Sequence, residues 1–153
     1  MELLERPRRN RKNAWLRSMM REHYVGPQHF IYPLFIHDGD GRQAIASMPG
    51  CDRMGLNALM DEAGAALDDG VGAIVLFPAV DEALKTSRGE ESYNAEGLIP
   101  RAIRSLKEAY PHLNIVTDVA LDPYSADGHD GIVSADGRIL NDETVEVLCQ
   151  QAV

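Results

Sequence analysis

Short apolar runs alternate with helical patterns along this chain, and that order limits the available folds more than any other feature. Apolar runs of strand length cover residues 30–36 and 73–77, and a third run begins at Asn114. Between them, in 57–69 and 94–110, apolar residues recur at helical spacing. Strands that alternate with amphipathic helices pair in parallel, because each helix carries the chain back along the sheet. The pattern predicts an α/β fold, although Pro33 weakens the first strand since it donates no hydrogen bond.

Residues that favour helix ends refine this outline. Asn57 is a good N-cap for the long helix that follows it. Gly70 comes just after the last apolar residue of that helix, where a C-terminal glycine belongs. A shorter helix is predicted over residues 14–22. Its large apolar residues form one stripe suited to docking on a partner: Trp15, Leu16, Met19 and Met20.

The last part of the chain predicts a hairpin followed by a helix. Asp136-Gly137 is a two-residue hairpin signal between apolar segments at 132–133 and 138–140. Asn141 or Asp142 would cap a helix over 143–153. Its apolar stripe would be Val145, Leu148, Cys149 and Ala152. On this interpretation Cys149 is a small core residue and not a nucleophile.

Acidic residues gather between positions 114 and 131. The aspartates there are Asp118, Asp122, Asp127 and Asp130. If the strand from Asn114 continued through this segment, Asp118, Ala120 and Asp122 would share one face. Burying an ionised carboxylate is costly, so that face must meet solvent, a cation or a substrate. A solvated, turn-rich loop explains the same composition equally well.

Spacing separates the roles of these aspartates. Positions four apart on a straight strand are roughly 13 Å apart, so Asp118 and Asp122 would not hold one ion together. Pro123 favours an end to regular pairing. Gly128 and Gly131 would let the chain fold back and bring Asp130 towards Asp122.

Composition excludes several classes of function. The chain of 153 residues suffices for one domain with its own core. A net charge of −9 argues against nucleic acid as a partner. The apolar runs are too short to span a membrane. The two cysteines do not form a disulfide framework, which predicts a cytoplasmic protein.

The segment TDVALDPYSADGHDG resembles the metal-site segment of the porphobilinogen synthase (5-aminolevulinate dehydratase) family. Zinc-dependent members carry Asp-Val-Cys-x-Cys-Pro-Tyr and then Gly-His-Cys-Gly, so their cysteine positions fall on Ala120, Asp122 and Asp130. The resemblance runs from about Arg6 to the last residue. Other segments agree with the family in the same order: RPRRNRKNAWLRSMMRE, IYPLFI, SMPGCDR, LFPAV and LNDETVEVL.

The resemblance implies a (β/α)₈ TIM barrel, which typically needs about 250 residues. This chain would then be an N-terminal arm with a short helix (1–25) followed by about the first three β/α units of the barrel (26–153). The final helix has no C-capping residue and is interpreted as a point where the barrel is cut. The arm, basic at Arg6, Arg8 and Arg9, would embrace a neighbouring subunit of a homo-octamer.

The implied activity is that of a hydro-lyase of heme and tetrapyrrole biosynthesis, which condenses two 5-aminolevulinate molecules to porphobilinogen. The family's two Schiff-base lysines have no counterpart in this chain, so the fragment alone is expected to be inactive. Lys85 is not a candidate, because its loop is expected to be solvated. Incomplete strand edges predict self-association.

The resemblance assigns roles within the acidic segment. Asp118 would transfer a proton or orient a substrate amine. Asp122 and Asp130 stand where zinc-dependent members have thiolates, and carboxylates suit a hard cation such as Mg²⁺ instead of zinc. The main Mg²⁺ site is expected outside this chain. Asp127 departs from a usual histidine, while His129 is retained as a candidate loop contact.

Two alternatives to the synthase interpretation remain open at this stage. One is a non-catalytic assembly fragment that keeps the arm and outer helices, and the other is a small metal-dependent hydrolase built on the aspartates. The hydrolase would need a third carboxylate or histidine near Asp118.

Overall fold

A five-stranded sheet forms the centre of the molecule. The computed structural model describes Leu4, Glu5 and residues 7–153; Arg6 and positions 1–3, parts of the predicted arm, lie outside the described residues. The strand order is β2-β3-β1-β4-β5. The strands are β1 (Tyr32–His37), β2 (Arg42–Ala44), β3 (Asp52–Met54), β4 (Ala73–Ala79) and β5 (Asn114–Thr117).

The three predicted strands lie side by side in parallel. Tyr32 of β1 pairs with Ile74 of β4, and Ala73 of β4 pairs with Asn114 of β5. Pro33 lies inside β1 opposite Val75, so it does not break the strand. The short pair β2–β3 was not predicted, because β2 has only three residues, all exposed, and they show no hydrophobic period. The α/β order is consistent with part of a TIM barrel.

The described residues include the helices α1 (Ala14–Met19), α2 (Leu56–Asp68), α3 (Leu98–Ala109) and α4 (Asn141–Gln151). Helices α2 and α3 cover one side of the sheet. The predicted Asn57 cap is wrong: Gly55 is the N-cap of α2 and Asn57 is already helical. Gly70 does close α2 with φ at +86°, and its amide bonds to the Leu67 carbonyl. No helix of the described residues combines the length and hydropathy needed to cross a membrane.

The main core lies between the sheet and α2 and α3. Burying one such aliphatic side chain stabilises the fold by about 1.5–3 kcal/mol, so this layer carries much of the stability. Its largest fully buried members are Leu34, Ile36, Leu59, Ile74, Leu76, Leu106 and Leu113. The opposite face of the sheet has no helix over it in the described residues. There the rings of Phe35 and Phe77 contact each other with centroids 5.7 Å apart.

Two predictions about the C-terminal half are wrong. Strand β5 ends at Thr117, so Asp118, Ala120 and Asp122 do not share a strand face. Helix α4 starts at Asn141 with Leu140 as its N-cap, and neither Asn141 nor Asp142 caps it through a side chain.

Helix α4 also buries a different stripe from the predicted one. It packs through Thr144, Val147 and Leu148 against Leu121 and Ile132. Val145, Cys149 and Ala152 are exposed, so the interpretation of Cys149 as a core residue is wrong. Small or apolar residues lie on both faces of this helix, so its sequence does not show which face is buried. The position of the acidic loop, with Leu121, decides it.

Candidate active site at the carboxyl edge of the sheet

The loop that follows β5 carries the acidic residues, and it is built on a buried anchor. Leu121 is 1% exposed and packs with Ile132 and Val147 in a second, smaller core. A turn follows at once, since the amides of Tyr124 and Ser125 both bond to the Leu121 carbonyl. The buried Leu121 side chain therefore anchors the loop that carries the aspartates.

The loop after β4 supports the acidic loop from the side. The Thr86 amide donates to the Tyr124 carbonyl at 3.2 Å, and the Ala126 amide donates to the Thr86 carbonyl at 2.9 Å. Gly89 lies in the left-handed region with φ at +65°, and a Cβ there would stand 3.2 Å from Leu121. Glycine satisfies both the backbone angle and the close approach.

Asp122 and Asp130 come together, as the fold-back at the glycines predicted. The Asp122 amide lies 3.5 Å from Oδ1 of Asp130, and Gly128 provides the turn between them with φ at +62°. The pKa of Asp122 is raised, first by partial burial and then by the nearby charges of Asp130 and Asp118. The carboxylates of Asp130 and Asp118 are therefore close enough to Asp122 to act on it.

A cleft of about 490 Å³ joins Asp118 and Asp122. Asp118 is the first residue beyond β5, so both side chains lie at the carboxyl edge of the sheet. Catalytic residues of barrel enzymes lie at this edge. Ala120 and Tyr124 also line the cleft. The carbonyl of Ala120 accepts a hydrogen bond from Gln151 at 3.2 Å, which ties the cleft to the end of α4.

Asp127 and His129 lie on the exposed rim of the loop. The Asp127 amide bonds to the Ser125 hydroxyl at 3.2 Å. His129 accepts a hydrogen bond from the Gly131 amide on Nδ1 at 3.1 Å. These contacts shape the turn, and neither side chain is among those that line the cleft.

Tyr124 and Lys85 also lie at the site. Sequence reasoning predicted no role for Tyr124 and expected Lys85 to be solvated. Burial, and secondarily Glu91, raises the pKa of Tyr124 to about 12. Lys85 was expected to be solvated, yet its side chain is only 21% exposed and pairs with Glu82 at 2.5 Å. Lys85 and Asp122 line a second hollow of about 400 Å³ beside Phe35 and Phe77. The sequence signal that could have indicated Tyr124 as a site residue is an aromatic residue directly after Asp122-Pro123.

The donor chemistry of the acidic pair fits a hard cation better than zinc. Asp122 and Asp130 offer carboxylate oxygens, whereas structural zinc sites favour thiolate and imidazole. Within residues 4, 5 and 7–153, no three acidic, histidine or cysteine side chains are placed to hold a metal ion together. Proteins often bind Mg²⁺ through one or two carboxylates, and water molecules complete its coordination shell.

Comparison with known proteins identifies the family. The sequence profile of the delta-aminolevulinic acid dehydratase family matches residues 4–153. The chain belongs to this family. It is 57% identical to a chloroplastic delta-aminolevulinic acid dehydratase of Selaginella martensii and 56% identical to that of Glycine max, covering 100% of this chain in both.

A solved structure agrees with the family assignment. The delta-aminolevulinic acid dehydratase (porphobilinogen synthase) of Toxoplasma gondii, in complex with the reaction product porphobilinogen, superposes with a TM-score of 0.89 at 51% identity. That match covers 98% of this chain and 43% of the other chain. The chain spans 37% of the length of the Selaginella and Glycine relatives.

The family's relatives correct the predicted compartment. The proteins of Selaginella, Glycine and Arabidopsis are all named chloroplastic, which overturns the prediction of a cytoplasmic protein. The prediction was wrong because a shortage of cysteine pairs indicates only a reducing compartment and does not distinguish one from another.

Proposed function

We propose that this chain supplies one wall of a porphobilinogen synthase site, in which two 5-aminolevulinate molecules condense with loss of two waters. The observation that carries the proposal is the shared cleft of Asp118 and Asp122 at the carboxyl ends of parallel strands. The family membership of residues 4–153 agrees with it. The two Schiff-base lysines implied by the family come from outside these 153 residues, so the chain alone is inactive.

In this proposal Asp118 moves a proton or orients the substrate amine. It follows β5 directly, so the strand holds its backbone while its exposed carboxylate stays accessible to a ligand. A carboxylate in hydrogen-bond reach of a reacting amine contributes on the order of 10²–10⁴-fold to rate. Tyr124 lines the cleft as a buried neutral phenol.

We further propose that Asp122 and Asp130 hold Mg²⁺, as expected for a zinc-independent branch of the family. The ion would stabilise the charged form of Asp122, whose pKa is raised first by partial burial and then by the charge of Asp130. The main Mg²⁺ site would still lie outside this chain. Titration calorimetry should show heat for Mg²⁺ that disappears in the double variant D122N/D130N and persists in D61N, which changes an exposed aspartate on α2. Tighter binding of Zn²⁺ than of Mg²⁺ would contradict this assignment.

A chimera tests the catalytic proposal. Residues 1–153 replace the matching part of the Selaginella enzyme, and porphobilinogen is measured from 5-aminolevulinate. The chimera should be active, and D118N should lower kcat by roughly 10²-fold or more. D61N in the same chimera should keep activity. Unchanged kcat in D118N, with the fold intact by circular dichroism, would remove Asp118 from the chemistry.

We also propose that the chain self-associates through its N-terminal segment, as a part of the family's octamer. Supporting this, α1 and the residues after it expose large apolar side chains: Trp15 (68%), Met19 (62%), Met20 (55%), Tyr24 (66%) and Val25 (66%). Sedimentation of the chain should give assemblies larger than a monomer, and the double variant W15S/M19S should shift them to lower mass. A monomer peak for the unaltered chain would contradict the proposal.

The hydrolase alternative gains no supporting contact from the described residues.

A further inference from the structure

Strand β5 has one paired edge and one open edge. It pairs in parallel with β4, from Asn114 opposite Ala73 to Thr117 opposite Leu76, and no other strand of the described residues lies beside it. In a parallel pair, alternate backbone amides and carbonyls of each strand point away from the partner strand. The outer edge of β5 therefore presents hydrogen-bonding groups with which another strand could pair.

The opposite end of the sheet does not offer the same kind of edge. There β3 pairs with β1 at Phe35 and Ile36, and β2 lies beyond β3 in the antiparallel direction. Strand β2 has only three residues, all of them exposed. Within the described part of the chain, the parallel order β1-β4-β5 can therefore be extended only at β5.

An apolar slot lies beside the open edge of β5. It is part of the cleft of about 490 Å³ that joins Asp118 and Asp122. Thr117 of β5 and Ala152, which follows α4, also line this cleft. The cleft therefore extends from the acidic loop to the helix layer that flanks β5. Large apolar side chains of its lining include Leu76, Ile99, Ile103 and Val153.

Helix α4 exposes an apolar stripe that ends at this slot. Val145 is 49% exposed, and Cys149 and Ala152 are also exposed. Their spacing of four and three residues places them on one face of the helix. Because Ala152 lines the cleft, a strand that paired with the open edge of β5 would cover that end of the stripe. Its apolar side chains would replace water at these exposed surfaces, which favours association.

A second copy of this chain does not suit the slot. Its β2 edge offers Arg42 and Gln43, and burying a charged or amide side chain without a partner is costly. Its β5 edge would bring Ile115 and Thr117 to the helix-covered side, because their partners on β4 belong to the helix-side core. Ile115 already packs against its own core, so it has little apolar surface left to offer. The slot therefore favours an apolar strand from a different polypeptide.

The size of the related enzyme indicates the kind of polypeptide. The superposition on the solved relative covers 43% of that protein, so more than half of such an enzyme has no counterpart in these 153 residues. We propose that the slot is an interaction surface for that remaining part of a synthase, supplied as a separate polypeptide. This partner adds an apolar strand parallel to β5 and covers the exposed stripe of α4. The identity of the partner rests on the proposed function, whereas the docking surface rests on β5 and α4 alone.

The test is co-expression of the tagged chain with a separate polypeptide, the part of the Selaginella enzyme that lies outside its match to this chain. The tag should retain both polypeptides. V145K places a charge on the stripe and should lower the amount of retained partner by about tenfold or more, because burying an unpaired charge is costly. A65K is the matched control at an exposed position of α2 and should retain as much partner as the unaltered chain. Matching circular dichroism and melting curves for the two variants exclude unfolding as the cause.

Alkylation of Cys149 shows whether the partner covers the stripe. In the chain alone this thiol is exposed and should react readily with iodoacetamide. In the complex the reaction should be slower by about tenfold or more, since a covered thiol reacts only when the contact opens. Serum albumin in equal mass should leave the rate unchanged. Protection that grows with the concentration of the chain alone would mean that a second copy fills the slot, and it would overturn the proposal.

Porphobilinogen synthesis separates this inference from the proposed function. The co-expressed pair should convert 5-aminolevulinate, as the chimera should. If the chimera is active but the separate polypeptide is not retained, the docking surface is wrong and the proposed function stands. If the polypeptide is retained but neither the pair nor the chimera is active, the proposed function is wrong and the docking surface stands. Equal retention of the partner by V145K and A65K would also overturn the docking proposal.

Discussion

The helix-covered side of the sheet and its carboxyl edge are built on opposite principles. The covered side consists of aliphatic side chains such as Leu34, Ile74 and Leu76, which are 0–1% exposed and have no chemistry to offer. The edge consists of acids held by short turns and by single buried anchors such as Leu121. Stability therefore resides in one region and the candidate chemistry in the other, so each should respond to different substitutions.

The largest expected effect comes from opening a cavity on the covered side. Leu76→Ala should lower the free energy of unfolding by about 2–5 kcal/mol, because the packed helices cannot collapse into the space. Val116→Ala, on the uncovered side and 42% exposed, should change it by no more than about 0.5 kcal/mol. Urea unfolding of both variants measures the contrast. Equal losses would mean that the uncovered side is packed against something in solution.

A glycine at the edge should give the next effect. Gly89→Ala places a Cβ 3.2 Å from Leu121 at a left-handed φ, and the backbone strain alone costs about 1–2 kcal/mol. Gly137→Ala is the matched control, since φ is +80° there but no atom lies within 4 Å of the added Cβ. Thermal melting should show the greater loss in the first variant. The same loss in both would show that Leu121 moves aside freely.

A smaller effect should come from the ion pair between the loop after β4 and helix α4. Arg88 contacts Glu143 of α4 at 2.7 Å, and both side chains are about half exposed. A double-mutant cycle with R88M and E143Q should give a coupling of about 0.2–1 kcal/mol that declines with added salt. The more exposed pair of Arg104 and Glu96 is the control and should give less. Salt-independent coupling would indicate that the Arg88 pair is not exposed in solution.

The smallest effect concerns pH and Asp122. Its pKa is raised in the folded state, so the folded chain holds the proton more tightly than the unfolded chain does. Stability therefore falls as pH rises from the unfolded value near 4 through the higher folded value. D122N should melt at a slightly higher temperature than the unaltered chain at pH 7, and the difference should vanish below about pH 4. A higher melting temperature in D122N at all pH values would point to a cause other than ionisation.

Sequence reasoning worked where the signal was local. The three parallel strands and helix α2 follow from apolar periods and from Gly70, all of which operate within a few residues. The approach of Asp130 to Asp122 also followed from two glycines close in sequence. The end of β5 at Thr117 could not be predicted from the sequence. The alternation of side chains that is typical of a strand continues beyond Thr117, although pairing with β4 stops there.

The sequence also misplaced residues whose surroundings come from distant segments. The predicted first strand stopped at residue 36, yet His37 ends β1 and is buried, and it lines a hollow with Asp81 and Glu91. Lys85 was expected in solvent, yet it lies in the hollow beside Asp122. In both cases other residues that line the hollow come from segments tens of residues away, which local composition does not report.

The sequence alone determined that this chain forms a parallel α/β sheet of the delta-aminolevulinic acid dehydratase family with a carboxylate-rich segment after its third parallel strand. Periodicity and motif order suffice for that, because they describe interactions between near neighbours and segments in a known order. Only the tertiary structure decided that Asp118 and Asp122 share a cleft, which stripe of α4 is buried, and that His37 is buried. Those properties depend on which surfaces meet when helices and loops pack on the sheet, and packing joins residues that are far apart in the chain.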